Sequence, residues 1–239
     1  MRMQSTVKQV TVSSVSVLIS LLFGGCQIPE SASEGAAGQR QDVYTWTARD
    51  ADDRWTFPVP DGWYGGSYYQ IMDRVSAAER GGEGDTPYVQ ILRTFSRDAR
   101  GLDAILFHLE MSADGSHGDA SILKINTTPI TSTGDGFPAI NQITTELWTE
   151  LGQDLFRSTA GALDVKLIRH QEDVVKGNRV ATAGFKVIMG AGRDDRYDGE
   201  ILIYRPPVVT SFSLEAPWHV AGLRLEEMWT MVRSIEFKE

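Results

Sequence analysis

Cysteine is nearly absent from this chain of 239 residues: Cys26 is the only one. That scarcity excludes an intrachain disulfide and any cysteine-rich zinc site, so the apolar core alone must hold the fold together. Histidine is scarce as well. His108, His117, His170 and His219 are scattered and never reach a metal spacing such as His-Glu-x-x-His, so no metal site is read from them. Basic runs are missing, and the formal charge is −9, which argues against a nucleic-acid partner because phosphates demand clustered Lys and Arg. No Gly-x-Ser-x-Gly elbow and no phosphate-cradling Gly-x-x-x-x-Gly-Lys occurs, and no cofactor is implied. No catalytic residue is assigned. A Ser-His-Asp set gathered from distant residues stays open, since such triads are defined by geometry and not by order. Apolar runs stop well short of the roughly 20 residues that a membrane-crossing helix needs.

What is present begins with a leader. Arg2 and Lys8 are followed by the apolar stretch VSVLISLLF and then by two small residues directly before Cys26, the pattern of a signal peptide over residues 1–25. The run Leu22-Phe23-Gly24-Gly25-Cys26 resembles the lipobox of bacterial lipoproteins, with Phe23 where Leu is usual. The resemblance implies that Cys26 is acylated with a palmitate-type chain and becomes the new amino terminus, attaching the protein to a membrane. Gln27, where an Asp would favour retention at the inner membrane, favours outer-membrane delivery and a periplasm-facing domain. Removing the two positive charges of the leader from −9 leaves −11. Residues 26–41 are rich in Ser, Ala, Gly, Glu and Gln and read as a flexible tether, and residues 42–239 as one α+β domain.

Within that domain, VYTWTA and RWTFPVP read as a hairpin. The segment GSYYQIMDRVSAAERGGEGD reads as a short helix or an irregular insertion. YVQILRTFS and LDAILFHLEMS read as paired strands joined at Arg97–Gly101, and ILKINTT as another strand. Helical spacing appears in Ile140, Ile143, Leu147, Leu151 and Leu155 with Trp148 beside them, opened by Pro138 and closed by Gly161. Period two returns in LDVKLIRHQEDVV and RVATAGFKVIMG around Lys176-Gly177-Asn178, where Gly and Asn are expected to take positive φ. GEILIYR and VTSFSLEAP extend an antiparallel meander. Leu225, Met228, Trp229, Val232 and Ile235 form a terminal apolar helical stripe. Two helices on a largely antiparallel sheet, with no repeat, are expected.

Two clusters bear on function. Trp46, Trp55, Trp63, Tyr64, Tyr68 and Tyr69 crowd one region; Trp46 and Trp55 alternate as core residues. Trp63, Tyr64, Tyr68 and Tyr69, flanked by Gly62, Gly65 and Gly66, are expected on an exposed loop and are the candidate binding residues. Asp194, Asp195, Asp198 and Glu200 form an acidic knot. The calcium-loop template fails there, because Arg196 takes a ligand position and Arg205 the closing Glu position, so a solvated hairpin turn is read instead. Asp114 and Asp119 about His117 make a weaker case still. His108, alternating with apolar neighbours in a strand, reads as a partly buried structural imidazole.

The order of these elements, with FPVPDGW closing an early strand and a terminal helix running into Arg233-Ser234-Ile235-Glu236-Phe237, resembles PsbP-like domains over roughly Val43 to Phe237. That superfamily includes an extrinsic photosystem II subunit, a eukaryotic nuclear-import cofactor and many bacterial lipoproteins. The resemblance implies an α/β/α sandwich with a predominantly antiparallel central sheet, and members that bind partners more often than they catalyse. The expectation is a membrane-anchored, extracytoplasmic, non-enzymatic lipoprotein that binds a protein partner or cell-envelope component. The alternative is a small-ligand receptor or unrecognised hydrolase with a cleft between sheet and helix.

Overall fold

The computed structural model describes residues 47–50, 54–82, 84, 86–111, 117–130 and 145–238. Cys26, Trp46, Asp114 and the helix residues Ile140 and Ile143 lie outside them.

Among the described residues, ten strands build two antiparallel sheets. β1 (Thr47–Arg49), β2 (Trp55–Pro58) and the carboxy-terminal β10 (Glu236–Phe237) form a small sheet ordered β1-β2-β10. The main sheet is ordered β3-β4-β5-β9-β8-β7-β6, from β3 (Trp63–Gly66), β4 (Ala104–Met111), β5 (His117–Pro129), β6 (Ala162–Val175), β7 (Asn178–Met189), β8 (Arg196–Arg205) and β9 (Val208–Pro217). Consecutive strands β6 to β9 form the expected meander. At the β6–β7 turn, Lys176 and Gly177 take the positive φ values, 49° and 78°, so Lys176 occupies the position expected for Asn178.

Alternation along these strands sends side chains to two faces, and each face is covered. On one, Leu106, Leu123, Phe212, Leu214 and Ile201 pack beneath the small sheet (Trp55, Phe57) and beneath α4 (Ala221–Ser234), whose Met228, Trp229 and Val232 are buried. On the other face lie α1 (Tyr68–Arg80) and α2 (Pro87–Asp98), which bury Ile71, Val75, Val89, Leu92 and Phe95 against Ile105, Phe107 and Ile122. Further along this face α3 (Thr145–Ser158) drives Trp148 against Ala181, Ala183, Phe185 and Leu202. The architecture is an α+β, helix–sheet–helix sandwich, as expected. No helix among the described residues is long and apolar enough to cross a membrane.

Two expectations about helices need correction. YVQILRTFS is not a strand but most of α2. The Thr86 hydroxyl accepts from the Val89 N–H, Pro87 opens the first turn, and Val89, Leu92 and Phe95 recur every three residues on the buried side. β-Branched and aromatic content suggested a strand, but the cap and the period decide the outcome. Of the two readings of the segment after Gly66, the helix holds: it is α1. It opens with a reciprocal capping box between Ser67 and Gln70, so among the described residues four α-helices cover the sheet where two were expected.

Candidate functional site

The aromatic segment does not form an exposed loop. Pro60-Asp61-Gly62-Trp63 makes a tight turn, with the Trp63 N–H donating to the Pro60 carbonyl at 3.3 Å, and β3 then pairs with β4. Trp63 sits opposite His108 and is 1% exposed, its Nε1 donating to Glu227 Oε2 at 2.7 Å. Tyr64 packs half-buried on Phe107, and Tyr68 half-buried under the Arg100 guanidinium. Tyr69 alone of the four is open to solvent, at 66%. Gly65 and Gly66 serve a strand and not a loop. Gly65, with φ of 119°, brings its backbone so near β4 that a Cβ would collide with the Ile105 carbonyl oxygen.

Behind Trp63 lies a buried polar network. Arg224 forks onto Glu110 with Nε and Nη2 at 2.7 and 2.9 Å, while its Nη1 bonds Glu227 at 2.7 Å. The Ser121 hydroxyl donates to Glu110 Oε1 at 2.5 Å, and His108 Nδ1 stands 3.4 Å from the same oxygen without a well-aligned hydrogen bond. Burial would raise the Glu110 carboxyl, but contacts with His108, Arg224 and Ser121 outweigh it and hold the group down to about 2. Serine, histidine and glutamate thus meet, yet not as a nucleophilic triad. The hydroxyl donates to the carboxylate instead of the imidazole, Ser121 has no exposed surface, and the carboxylate is consumed by Arg224. This network joins β3, β4, β5 and α4. His108 fills the structural role expected of it.

A second polar group lies on the helical face, between the clusters under α1–α2 and α3. Asp198 and Glu200 are not in a solvated turn as expected, but in β8, where Asp198 pairs with Glu215 and Glu200 with Ser213. Lys124 meets Glu215 at 2.5 Å and Arg196 meets it at 3.4 Å. Burial pushes the Asp198 carboxyl up to about 8, with the Glu215 charge adding to it, and burial lifts Glu200 to about 7 against the Ser213 hydroxyl. Asp194 stays exposed on the turn, and Asp195 pairs with Lys186 at 2.9 Å. Alternation along β8, invisible in a count of acidic residues, separates the two halves of the knot. Among the described residues no group of His, Cys, Asp and Glu is arranged to hold a metal ion.

Five of the eight exposed large apolar side chains among the described residues sit at the sheet's open edge. β6 is the outermost strand, 14 residues long, with no strand among the described residues on its outer side. Leu163, Ile168 and Val174 on it are 67%, 47% and 62% exposed. On α3 beside it, Leu151 and Phe156 are also exposed, Leu151 against the expectation that it completes the buried stripe. An open groove of about 300 Å³ runs between the two elements, lined by Phe156, Leu163, Leu167 and Phe185, with Gln153 and Asp164 as polar members. The sequence carried a signal for this edge. The five consecutive polar residues Arg169-His170-Gln171-Glu172-Asp173 leave neither strand face apolar, the mark of a strand outside the core.

No family model and no curated protein matches the chain. Among solved structures it is similar to the cyanobacterial PsbP protein CyanoP of Synechocystis sp., with 15% identity and a TM-score of 0.50, over 90% of this chain and 99% of that one. It is also similar to the Saccharomyces cerevisiae Ran-binding protein Mog1p, with 14% identity and a TM-score of 0.41, over 81% of this chain and 95% of that one. The likeness to CyanoP shows the fold alone: the domain has the PsbP-like architecture that the order of its motifs implied.

Proposed function

We propose that this chain is a lipid-anchored, extracytoplasmic domain without catalytic activity that binds a protein partner along the open β6 edge and the flank of α3. One observation carries the reading: of the eight large apolar side chains exposed among the described residues, five (Leu151, Phe156, Leu163, Ile168 and Val174) lie on these two elements. Concentrated exposed apolar surface marks interaction sites, and an unpaired strand edge offers a row of backbone donors and acceptors to an incoming segment. The apolar lining of the groove suits a partner's aliphatic or aromatic side chain better than a reaction centre. Support for the anchor is the leader and the Gly24-Gly25-Cys26 junction. Tyr69, the exposed member of the aromatic set, is a second contact in this reading, on the far side of the sheet from β6.

A photo-reactive residue placed at Leu163 or Val174 in the membrane-attached chain tests the contact. The expected result is a discrete crosslinked product from both positions, lost on Ile168→Lys and absent when the probe is moved to Asp194. Equal products from all three positions would refute a specific edge. Palmitate incorporation tests the anchor separately: label on the parent chain and none on Cys26→Ser is expected, and label that survives the substitution would refute it.

A further inference from the structure

We infer that the partner seated on this edge is a second copy of the chain, its β6 pairing antiparallel with β6 about a two-fold axis at Gln171. The inference rests on the reading of β6 as the contact edge and names its occupant.

The backbone limits the registers first. The Val174 N–H is taken by the Asp173 carboxylate at 2.7 Å, an arrangement open to an amide that points away from β7. Outward-pointing amides recur at every second residue, so Val174, Glu172 and His170 present the backbone groups that a neighbouring strand would use. Outward residues pair only with outward residues in an antiparallel ladder. Self-pairing is thereby confined to axes centred on a residue, and a one-residue slip is forbidden.

Charge then selects among those registers. β6 is basic in its middle (Lys166, Arg169, His170) and acidic toward its end (Glu172, Asp173). An axis at Arg169 sets Arg against Arg, and one at Glu172 sets Glu against Glu; an axis at His170 pairs Arg169 with Gln171 and Ile168 with Glu172. With the axis at Gln171, Arg169 faces Asp173 and His170 faces Glu172, each twice by symmetry, and Ile168 faces Val174. The two exposed aliphatic side chains of the strand's middle and end thus cover one another, as an isologous interface requires. Regular pairing of β6 on β7 runs from Arg169 to Val175, and Ile168 is the extra residue at the register shift between Leu167 and Arg169, so the ladder between copies ends there. Within one copy Arg169 bonds Gln171 at 2.6 Å and Glu172 bonds Arg179 at 3.0 Å. Those contacts are local and exposed, so exchanging them for cross-axis partners costs little. The two seven-stranded sheets become one, with an α3 helix of each copy on the same face.

The full chain carrying Gln171→Cys tests the axis directly. In this register the two Cα atoms form a non-hydrogen-bonded pair about 4.5 Å apart, within reach of a disulfide. A covalent dimer on a non-reducing gel is expected, unchanged by Cys26→Ser and absent from Asp194→Cys. In sedimentation velocity, Arg169→Asp and Asp173→Arg should each weaken association about tenfold, and the two together in one chain should restore it to within about threefold. A parent chain that stays monomeric at about 100 μM and a Gln171→Cys chain that forms no disulfide would overturn the second copy as occupant. Photo-crosslinks from Val174 to another protein in that case would leave the edge reading standing. Singles that weaken association without rescue by the double variant would overturn the axis at Gln171.

Discussion

Replacing Glu200 with Gln should make the protein more stable at alkaline pH and leave it unchanged in acid. Burial lifts the Glu200 carboxyl from its ordinary 4.5 to about 7, and the Ser213 hydroxyl at 3.5 Å opposes this only weakly. Between those two values the folded chain holds a proton that the unfolded chain has released. The stability linked to this group is therefore complete below pH 4.5 and is lost as pH rises through 7. The full separation corresponds to about 3 kcal/mol at about 1.4 kcal/mol for each pH unit. Because Glu200 keeps some exposed surface, about 2 kcal/mol is the expected cost of ionising it in place. Gln has nearly the same shape and cannot ionise. Urea denaturation followed by tryptophan fluorescence should show the variant about 2 kcal/mol more stable than the parent at pH 8.5, and within about 0.5 kcal/mol of it at pH 4. Glu110, held low at about 2, acts with the opposite sign below pH 4.5, but it is present in both chains and cancels from the difference. A stability difference that does not vary between pH 4 and pH 8.5 would refute the argument.

Two further outcomes follow from the core. Arg224→Met would strand the buried Glu110 carboxylate, so a loss of about 3 to 5 kcal/mol is expected in chemical denaturation, partly recovered when Glu110→Gln is added; equal losses in both variants would count against the network. Gly65→Ala should cost about 3 kcal/mol or prevent folding, because a side chain there meets the Ile105 carbonyl at a φ of 119°; a melting temperature within a degree of the parent would contradict it.

Where sequence reading succeeded, the information was local. The β6–β7 hairpin, the β8–β9 strands and the stripe of Met228, Trp229 and Val232 each announce their period within a dozen residues, and the described structure keeps all of them. Failure came in two forms. At α2 the helix signals lie in Thr86, Pro87 and the spacing of Val89, Leu92 and Phe95, against a β-branched and aromatic content that favours a strand. At Trp63 no local signal existed. The same Gly-flanked aromatic run is compatible with an exposed loop and with a strand pressed on its neighbour, and only the pairing of Gly65 with Leu106 separates them.

The amino-acid order by itself determined the acidic charge, the lack of disulfide and metal chemistry based on cysteine, and the alternation that makes the meander. Each of these is set by composition or by neighbours along the chain. Only the tertiary structure decided that Asp198 and Glu200 stand beside Glu215 and Lys124, that Arg224 reaches Glu110 across 114 positions, and that β6 has no outer strand neighbour among the described residues. Strand order and register assign those partners, and a pattern of period two reads the same in the middle of a sheet as at its edge.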